Sequence, residues 1–350
     1  MVGDDPSRGM IAGMLLPKPR GPLSAALADE LRAGQGLSAD TADLAARLVG
    51  ANPDPLDDDD LQLSLAICYE LHYRGFDDVD DRWEWDPELL RLRALIEERH
   101  TAALRRLVGP VEVTDEPVDR QLTAVIEADD GPSLSRYLAR TGTPEQWREY
   151  LTVRSVYHLK EGDPHTWAIP RLSGRSKAAM VEIQADEYGG GAPQRMHSQL
   201  FADMMRDLGL DDTYGALWDQ APAVAFASVN TMSLFGLHRR WRGACLGHLA
   251  AVEMTSSEPS RRYATGLRRL GFGDRTAVFY DEHVEADAVH EQIASVDMCG
   301  SLVAEDPALA PDVLFGARCA LAVDGLAAVH LLGAWEAGRS GLRTAEPVAA

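Results

Sequence analysis

Residues 274–298 read DRTAVFYDEHVEADAVHEQIASVDM. Each residue of an α-helix advances about 100°, so relative to His283 the side chain of Asp287 falls at roughly 40° and that of His290 at roughly −20°. One stripe therefore carries two imidazoles and a carboxylate, and Tyr280 and Ala294 extend it. Glu282, Glu285 and Glu291 face elsewhere, where water solvates them. The spacing predicts a helix with a polar inward stripe, which needs partners of matching chemistry on neighbouring helices.

Working outward, nearly every periodic segment is helical in spacing, and strand-like alternation between tight turns is hard to find. The chain is read as all-α. Residues 1–20 are expected to form a loose arm. PLSAALADELRAG, TADLAARLVGA, DDLQLSLAICYELHYRG and DPELLRLRALIEERHTAALRRLV read as the first helices, with Asp57 to Asp60 as a solvated helix start. GPVEVTDEPVDR at 109–120 interrupts the pattern with two prolines and β-branched residues, which places a boundary there. It separates an N-terminal helical region, 1–115, from a second region, 116–350. In the second region Thr143 and Gln146 have the form of a capping box, with Pro144 at the first helical position. SGRSKAAMVEIQADEYGGG stops at its glycines, and APQRMHSQLFADMMRDLGL restarts at Pro193. LHRRWRGACLGHLAAVEMTSSEP, PSRRYATGLRRLG, the opening stretch and PDVLFGARCALAVDGLAAVHLLGAWEAG complete a bundle of about seven helices.

At 350 residues, 45% of them hydrophobic and 25% charged, the chain can bury a substantial core. Fifty-five acidic against 34 basic residues give a formal charge of −21. That charge repels phosphate backbones and anionic lipid, so neither a nucleic acid nor a membrane surface is expected as a partner. Cys68, Cys245, Cys299 and Cys319 lie far apart and form no CxxC pair, so they read as reduced core residues. The opening residues lack the charge order of a signal peptide. No uninterrupted apolar run reaches bilayer length, because ALAVDGLAAVHLLGAW contains Asp324 and His330. The expectation is a cytoplasmic protein.

Acids and histidines on otherwise apolar faces supply the partners sought for the opening stretch. His197 is in line with Phe201, Met204 and Leu208, and Glu253 follows Leu246 and Leu249 at the spacing of a buried stripe. Burying Glu253 unpaired costs on the order of several kcal/mol, which a cation offsets. Glu161 and Glu187 fall at helix C-termini, where the macrodipole disfavours a carboxylate by roughly 0.3–1 kcal/mol. With His283, Asp287 and His290 these residues make an inventory of imidazoles and carboxylates. It suits iron or manganese, is too oxygen-rich for structural zinc, and is large enough for two ions.

Each position also has a plainer reading. His197 could be a satisfied core histidine, Glu253 could pair with Arg242 on its own face, and Glu161 and Glu187 could cap turns at the surface. Glu97 and His100 form an ExxH pair that, with Asp287 and His290, has the form of half a ferritin-like di-iron pattern. His100, however, sits in EERH among charges that read as a solvated face. His72, His158, His165, His238, His248 and His330 lack comparable partners and read as packing or supporting residues.

The ordered segments KEGDPHTWAIPRL, VEIQADEYGGG followed by His197, NTMSLFGLHRRWRGACLGHLAAVEMTSSEP and FYDEHVEADAVHEQIA resemble the heme-oxygenase-like di-iron oxidase and oxygenase family. The likeness covers about residues 118–340 and is greatest to the central domain of N-nitrosourea-forming members. It implies a seven-helix heme-oxygenase-like bundle with two iron ions, dioxygen as co-substrate and no heme. The metal ligands it implies are Glu161, Glu187, His197, Glu253, His283, Asp287 and His290. It further implies oxygenation of an amine or guanidine nitrogen of a small metabolite, or alternatively oxidative C–C cleavage of a fatty or amino acid. A non-catalytic metal-binding protein is the alternative from another class. Homodimerisation through the N-terminal helices follows from the resemblance alone. Tyr188, Asn230, Met232 and Arg242, close in sequence to the ligand segments, are the candidate substrate contacts. No flavin or nicotinamide fingerprint is present, so a separate reductant or reductase is expected to supply electrons. N-nitrosourea-forming members continue into a cupin domain with its own iron. This sequence has no second His-rich region, so the cupin's rearrangement chemistry is not expected.

Overall fold

The structure is a computed structural model that describes residues 13–51 and 54–343, except for the side chains of residue 51 and residues 285–289. No strand occurs among the described residues. The N-terminal part comprises α1 (Pro22–Ala33), α2 (Ala39–Ala51), α3 (Asp59–Glu70) and α4 (Pro87–Val108). Then follow α5 (Val118–Glu127), α6 (Leu134–Arg140), α7 (Pro144–His158), α8 (Asp163–Thr166), α9 (Gly174–Glu187) and α10 (His197–Asp207). The last five are α11 (Ala223–Leu237), α12 (Arg242–Arg269), α13 (Asp274–Gln292), α14 (Ser301–Glu305) and α15 (Ala310–Glu336).

The caps show why these segments start where they do. Thr143 Oγ1 accepts from the Gln146 amide and Gln146 Oε1 accepts from the Thr143 amide, closing the capping box of α7. Asp86 caps α4 by accepting from the amides of Glu88 and Leu89. The acidic run is tied down more firmly than its charge suggests. Asp60 accepts from the first amides of α1, and Asp59 pairs with Arg20 and Arg343. Residues 13–20 are packed as well: Met14 and Leu16 are buried, and the Leu16 amide donates to Asp78. The rest of the expected loose arm, residues 1–12, lies outside the described residues.

α12 forms the axis of the bundle, packed along α15 on one side and α13 on another. Two glycines allow the α12–α15 crossing. A Cβ on Gly247 would stand 1.8 Å from the Val313 carbonyl oxygen, and one on Gly316 would stand 2.0 Å from that of Ala244. α11 lies between α15 and α3, so the N-terminal helices pack directly on the bundle. A single apolar cluster runs from Leu23, Leu65 and Leu104 through Phe226 and Leu246 to Met298. Of the expected boundary at 109–120, residues 109–117 form a helix-free stretch between α4 and α5, and 118–120 already belong to α5.

Three local expectations are revised. The segments separated at Pro259 are one helix, because α12 runs through the proline. Thr255, whose carbonyl loses its helical partner there, donates its hydroxyl back to the Ala251 carbonyl. α10 begins at His197 and not at Pro193, which starts a separate 3₁₀ turn ended by the extended Met196. Glu97 and His100 are buried, not solvated. Glu97 accepts from Tyr69 and His238 and pairs with Arg93, while His100 bridges Gln62 and Thr231. Their polar atoms are thus already paired in the core.

The helical run Pro307–Glu336 is long and apolar enough to cross a membrane, which the reading of its two polar residues did not anticipate. It lies along α12, α11, α5 and α4, with 56% of its most apolar window buried inside the protein.

Candidate metal centre

Four segments bring the site together. Glu161 stands in the short turn between α7 and α8, Glu187 is the last residue of α9, His197 is the first of α10, and His283 projects from α13. The turn after Glu161 depends on Gly162, which sits at φ +87°. A Cβ there would also approach the Glu187 Cβ to 3.2 Å, so glycine lets the Glu161 turn lie against the end of α9.

Ligand atoms of Glu161, His197 and His283 all lie within 4.8 Å of one another. His283 donates through Nδ1 to the Phe279 carbonyl at 2.6 Å, which directs Nε2 toward Glu161 Oε1 at 3.7 Å. His158 Nδ1 donates to the same oxygen at 2.8 Å. His197 Nδ1 lies 3.0 Å from Glu187 Oε2, yet neither atom makes a well-aligned hydrogen bond. The second oxygen of Glu161 is also buried without a hydrogen-bond partner. Buried polar atoms in native proteins are nearly always satisfied, so carboxylate oxygens and an imidazole nitrogen left over at one spot fit a bound cation.

The electrostatics agree. Burial alone would raise the Glu161 pKa, but His158 and His283 outweigh it and hold the carboxyl below its usual range. Burial opposes a charge on His197, and the Glu187 carboxylate reverses that and raises its pKa.

A second knot lies further along α13. His290 donates from Nδ1 to Glu253 at 3.2 Å and from Nε2 to Asp186 at 2.9 Å. Burial disfavours the imidazolium, but the hydrogen bond and charge of Glu253, joined by Asp186, raise its pKa to about 9. A proton on His290 thus neutralises Glu253 where a metal ion could do the same. Asp287 lies on the helix between the two knots, and its side chain is outside the described residues.

The sequence reading placed His158 only among packing or supporting residues, which is the part it takes beside Glu161, and did not mention Asp186. His158 could have been found as an HxxE pair ending a helix, whereas Asp186 carried no signal beyond its place beside Glu187. Arg242 pairs with Asp306 at 3.1 Å, and Glu253 meets His290. Among the candidate substrate contacts, Met232 lines the cavity described next. Tyr188 is engaged by Asp163 and Thr166, Asn230 by Gln62 and Arg242 by Asp306, so these three are committed elsewhere.

A cavity of about 300 Å³ has Glu161 and His283 in its wall. Tyr150, Tyr263 and Tyr280 line it in mutual contact, with ring centroids 5.0 Å apart for Tyr150–Tyr263 and for Tyr263–Tyr280. Arg154 of α7 and Asp324 of α15, which pair with each other, give it a charged end of both signs.

A profile of the family described as iron-containing redox enzymes matches residues 148–325. The chain belongs to this family. The match spans every residue of both knots, and with it the all-α fold is a heme-oxygenase-like one. Over 191 residues, 54% of this chain, the sequence is 23% identical to nitrosourea synthase from Streptomyces achromogenes subsp. streptozoticus. The aligned part spans about 40% of that relative's length. Family membership supports an oxidase or oxygenase role, and the buried Glu161, His197 and His283 are a candidate place for the iron.

Proposed function

We propose that the chain is a non-heme di-iron oxygenase acting on an amine or guanidine nitrogen of a small, charged metabolite. Glu161, Glu187, His197 and His283 would hold one iron. Glu253 and His290 would hold the other, with Asp287 and Asp186 as further carboxylates near it. Iron bound there supplies the electrons and the Lewis acidity that activate dioxygen.

The chain's own residues set the conditions for that chemistry. The Phe279 carbonyl fixes the tautomer and orientation of His283, as second-shell acceptors do for metal-ligating imidazoles. His158 steadies Glu161 through its Oε1. Phe201 and Phe279 pack on the His158 ring with centroids 4.8 and 5.3 Å away, and Phe279 also packs on His283, which keeps bulk water from this side of the site.

The cavity is the observation that favours a charged substrate. It is small, it is edged by Tyr150, Tyr263 and Tyr280, and it carries the Arg154–Asp324 pair in place of an extended apolar channel. A fatty chain would make no use of that pair. The relative's name, nitrosourea synthase, points in the same direction, since a nitrosourea contains oxidised nitrogen. We further propose a homodimer, cytoplasmic, with electrons delivered by a separate reductant.

The decisive experiment supplies anaerobic Fe(II)-loaded protein with ¹⁸O₂ in the presence of amine- and guanidine-bearing amino acids or of medium-chain fatty acids. Mass spectrometry of the products should show ¹⁸O on nitrogen, and an oxygen electrode should show consumption stimulated only by the nitrogen compounds. Loss of a carbon fragment from an acid would favour the C–C-cleaving oxidase. Iron binding with oxygen uptake indifferent to every compound would favour the non-catalytic reading.

A further inference from the structure

Glu161 stands in a turn, not in a helix, so helical hydrogen bonding does not fix its direction. Its backbone is held by turn bonds: the Lys160 amide donates to the Tyr157 carbonyl at 2.8 Å, the Asp163 amide to the Lys160 carbonyl at 3.1 Å, and the Glu161 amide reaches the His158 carbonyl at a long 3.4 Å. The rest of the restraint comes from the end of α3. Lys160 Nζ donates to Glu70 Oε2 at 2.8 Å, and the two side chains are 3% and 0% exposed. The ammonium also lies 4.2 Å from the centroid of the Tyr73 ring. Arg74 reaches the Leu159 carbonyl at 3.4 Å and stacks on Tyr214 at 4.1 Å. The Glu70 carboxylate is itself fixed, accepting from the Tyr214 hydroxyl at 2.8 Å on both oxygens.

Two neighbours of Glu161 are therefore gripped from one side by Glu70, Tyr73 and Arg74. On the other side Gly162 rests against the end of α9. We propose that the buried Lys160–Glu70 pair is a positioning device through which the N-terminal helical region holds Glu161 in its metal-binding orientation. Buried ion pairs contribute little net stability against apolar replacements of the same size, and fixing one arrangement is a role that suits them better. Neither Lys160 nor Glu70 is among the residues proposed to hold the metal or line the cavity. The inference rests on the metal-binding reading of Glu161, and it gives the N-terminal helices a part in building the site.

The test uses the full chain, metal-free and anaerobic, titrated with Co(II) and followed by its visible absorption, with equilibrium dialysis against Fe(II) alongside. K160M and E70Q should bind the first equivalent of Co(II) at least tenfold more weakly and with an altered spectrum. E97Q breaks another buried pair, Glu97–Arg93, whose partners Tyr69, Arg93 and His238 are not among the residues that grip Lys160 or hold the metal, although Tyr69 adjoins Glu70 in α3. It should lower thermal stability yet leave Co(II) affinity and spectrum unchanged. Wild-type affinity and spectrum in both K160M and E70Q, or equal weakening by E97Q, would overturn the proposal. Should K160M fail to fold, E70Q keeps a side chain of the same shape and decides alone. A wild-type chain that takes up no Co(II) or Fe(II) would instead sink the metal reading itself.

Discussion

Raising the pH of the metal-free protein should cost it stability, and one imidazole supplies a part of that loss that can be isolated. His290 is buried against Glu253 and Asp186, and although burial disfavours its charge, these carboxylates raise its pKa from 6.5 to about 9. A group whose folded pKa lies above its unfolded value contributes stability that is complete below the unfolded pKa. That contribution is lost as pH rises through the folded pKa, so the window here runs from 6.5 to about 9. At about 1.36 kcal/mol per unit the whole gap corresponds to roughly 3 kcal/mol. Asp186 is more than half exposed, and screening by solvent reduces the expected effect to about 1–2 kcal/mol. His197, raised by Glu187 against its own burial, acts with the same sign. Urea unfolding followed by circular dichroism at pH 6, 7.5, 9 and 10 measures this, with H290Q as the reference. Burial raises the thiol pKa of Cys68, Cys245, Cys299 and Cys319, which adds a loss of the same sign at the alkaline end; H290Q shares that loss, so the difference between the two proteins isolates the imidazole. Wild type should lose about 1–2 kcal/mol relative to H290Q over the window. Parallel pH profiles for the two proteins would refute the reasoning. Adding Fe(II) between pH 6 and 8 should reverse the trend, because a ligating imidazole must be neutral and metal binding then releases the proton that His290 held.

Two substitutions probe the site and the scaffold separately. His283→Ala removes the nitrogen that completes the cluster with Glu161 and His197. Equilibrium dialysis should show at least one equivalent of Fe(II) lost while the helical circular dichroism is retained, and unchanged stoichiometry would remove His283 from the ligands. Gly316→Ala inserts a Cβ that would stand 2.0 Å from the Ala244 carbonyl oxygen at the α12–α15 crossing. Overpacking of this kind costs about 1–3 kcal/mol, and urea melts that match wild type would show the two helices able to separate freely.

Much of the fold was legible in the sequence because helices advertise themselves locally. Thr143, Pro144 and Gln146 predicted the start of α7 from four residues, and the start is as predicted. The misreadings share a physical origin. Pro259 reads as a helix end in sequence, but a proline removes one amide and can be accommodated where a hydroxyl such as that of Thr255 bonds the backbone and neighbours hold the helix. EERH around His100 looked solvated because charge density is visible in sequence while pairing is not. Tyr69 comes from α3 and His238 from the turn after α11, and with Arg93, on the same helix as Glu97, they turn Glu97 into a core residue. The long crossing of α12 over α15 was equally hidden, since Gly247 and Gly316 mean nothing until the two backbones are seen to touch.

The site was legible to the extent that its residues sit where an isolated residue would be out of place. A histidine in the line of Phe201, Met204 and Leu208, and a glutamate on the apolar face of α12, both violate the hydrophobic pattern. Residues that obey the pattern were invisible. Asp186 is half in solvent and looks like any surface acid, yet it shares the His290 proton with Glu253. Glu70 and Lys160 lie ninety positions apart and meet only because α3 packs beside the turn after α7. A charged pair so deeply buried, beside a carboxylate with one oxygen unsatisfied, places the two costliest features of this core next to each other. Were the cation reading false, Glu161 would be stabilised only by His158 and His283. Replacing it with Gln should then cost only what those contacts contribute, and metal should add nothing to the stability of either protein. A stability gain on adding Fe(II) that is present with Glu161 and absent with Gln at that position is the signature that ties the orphaned oxygen to a metal ion.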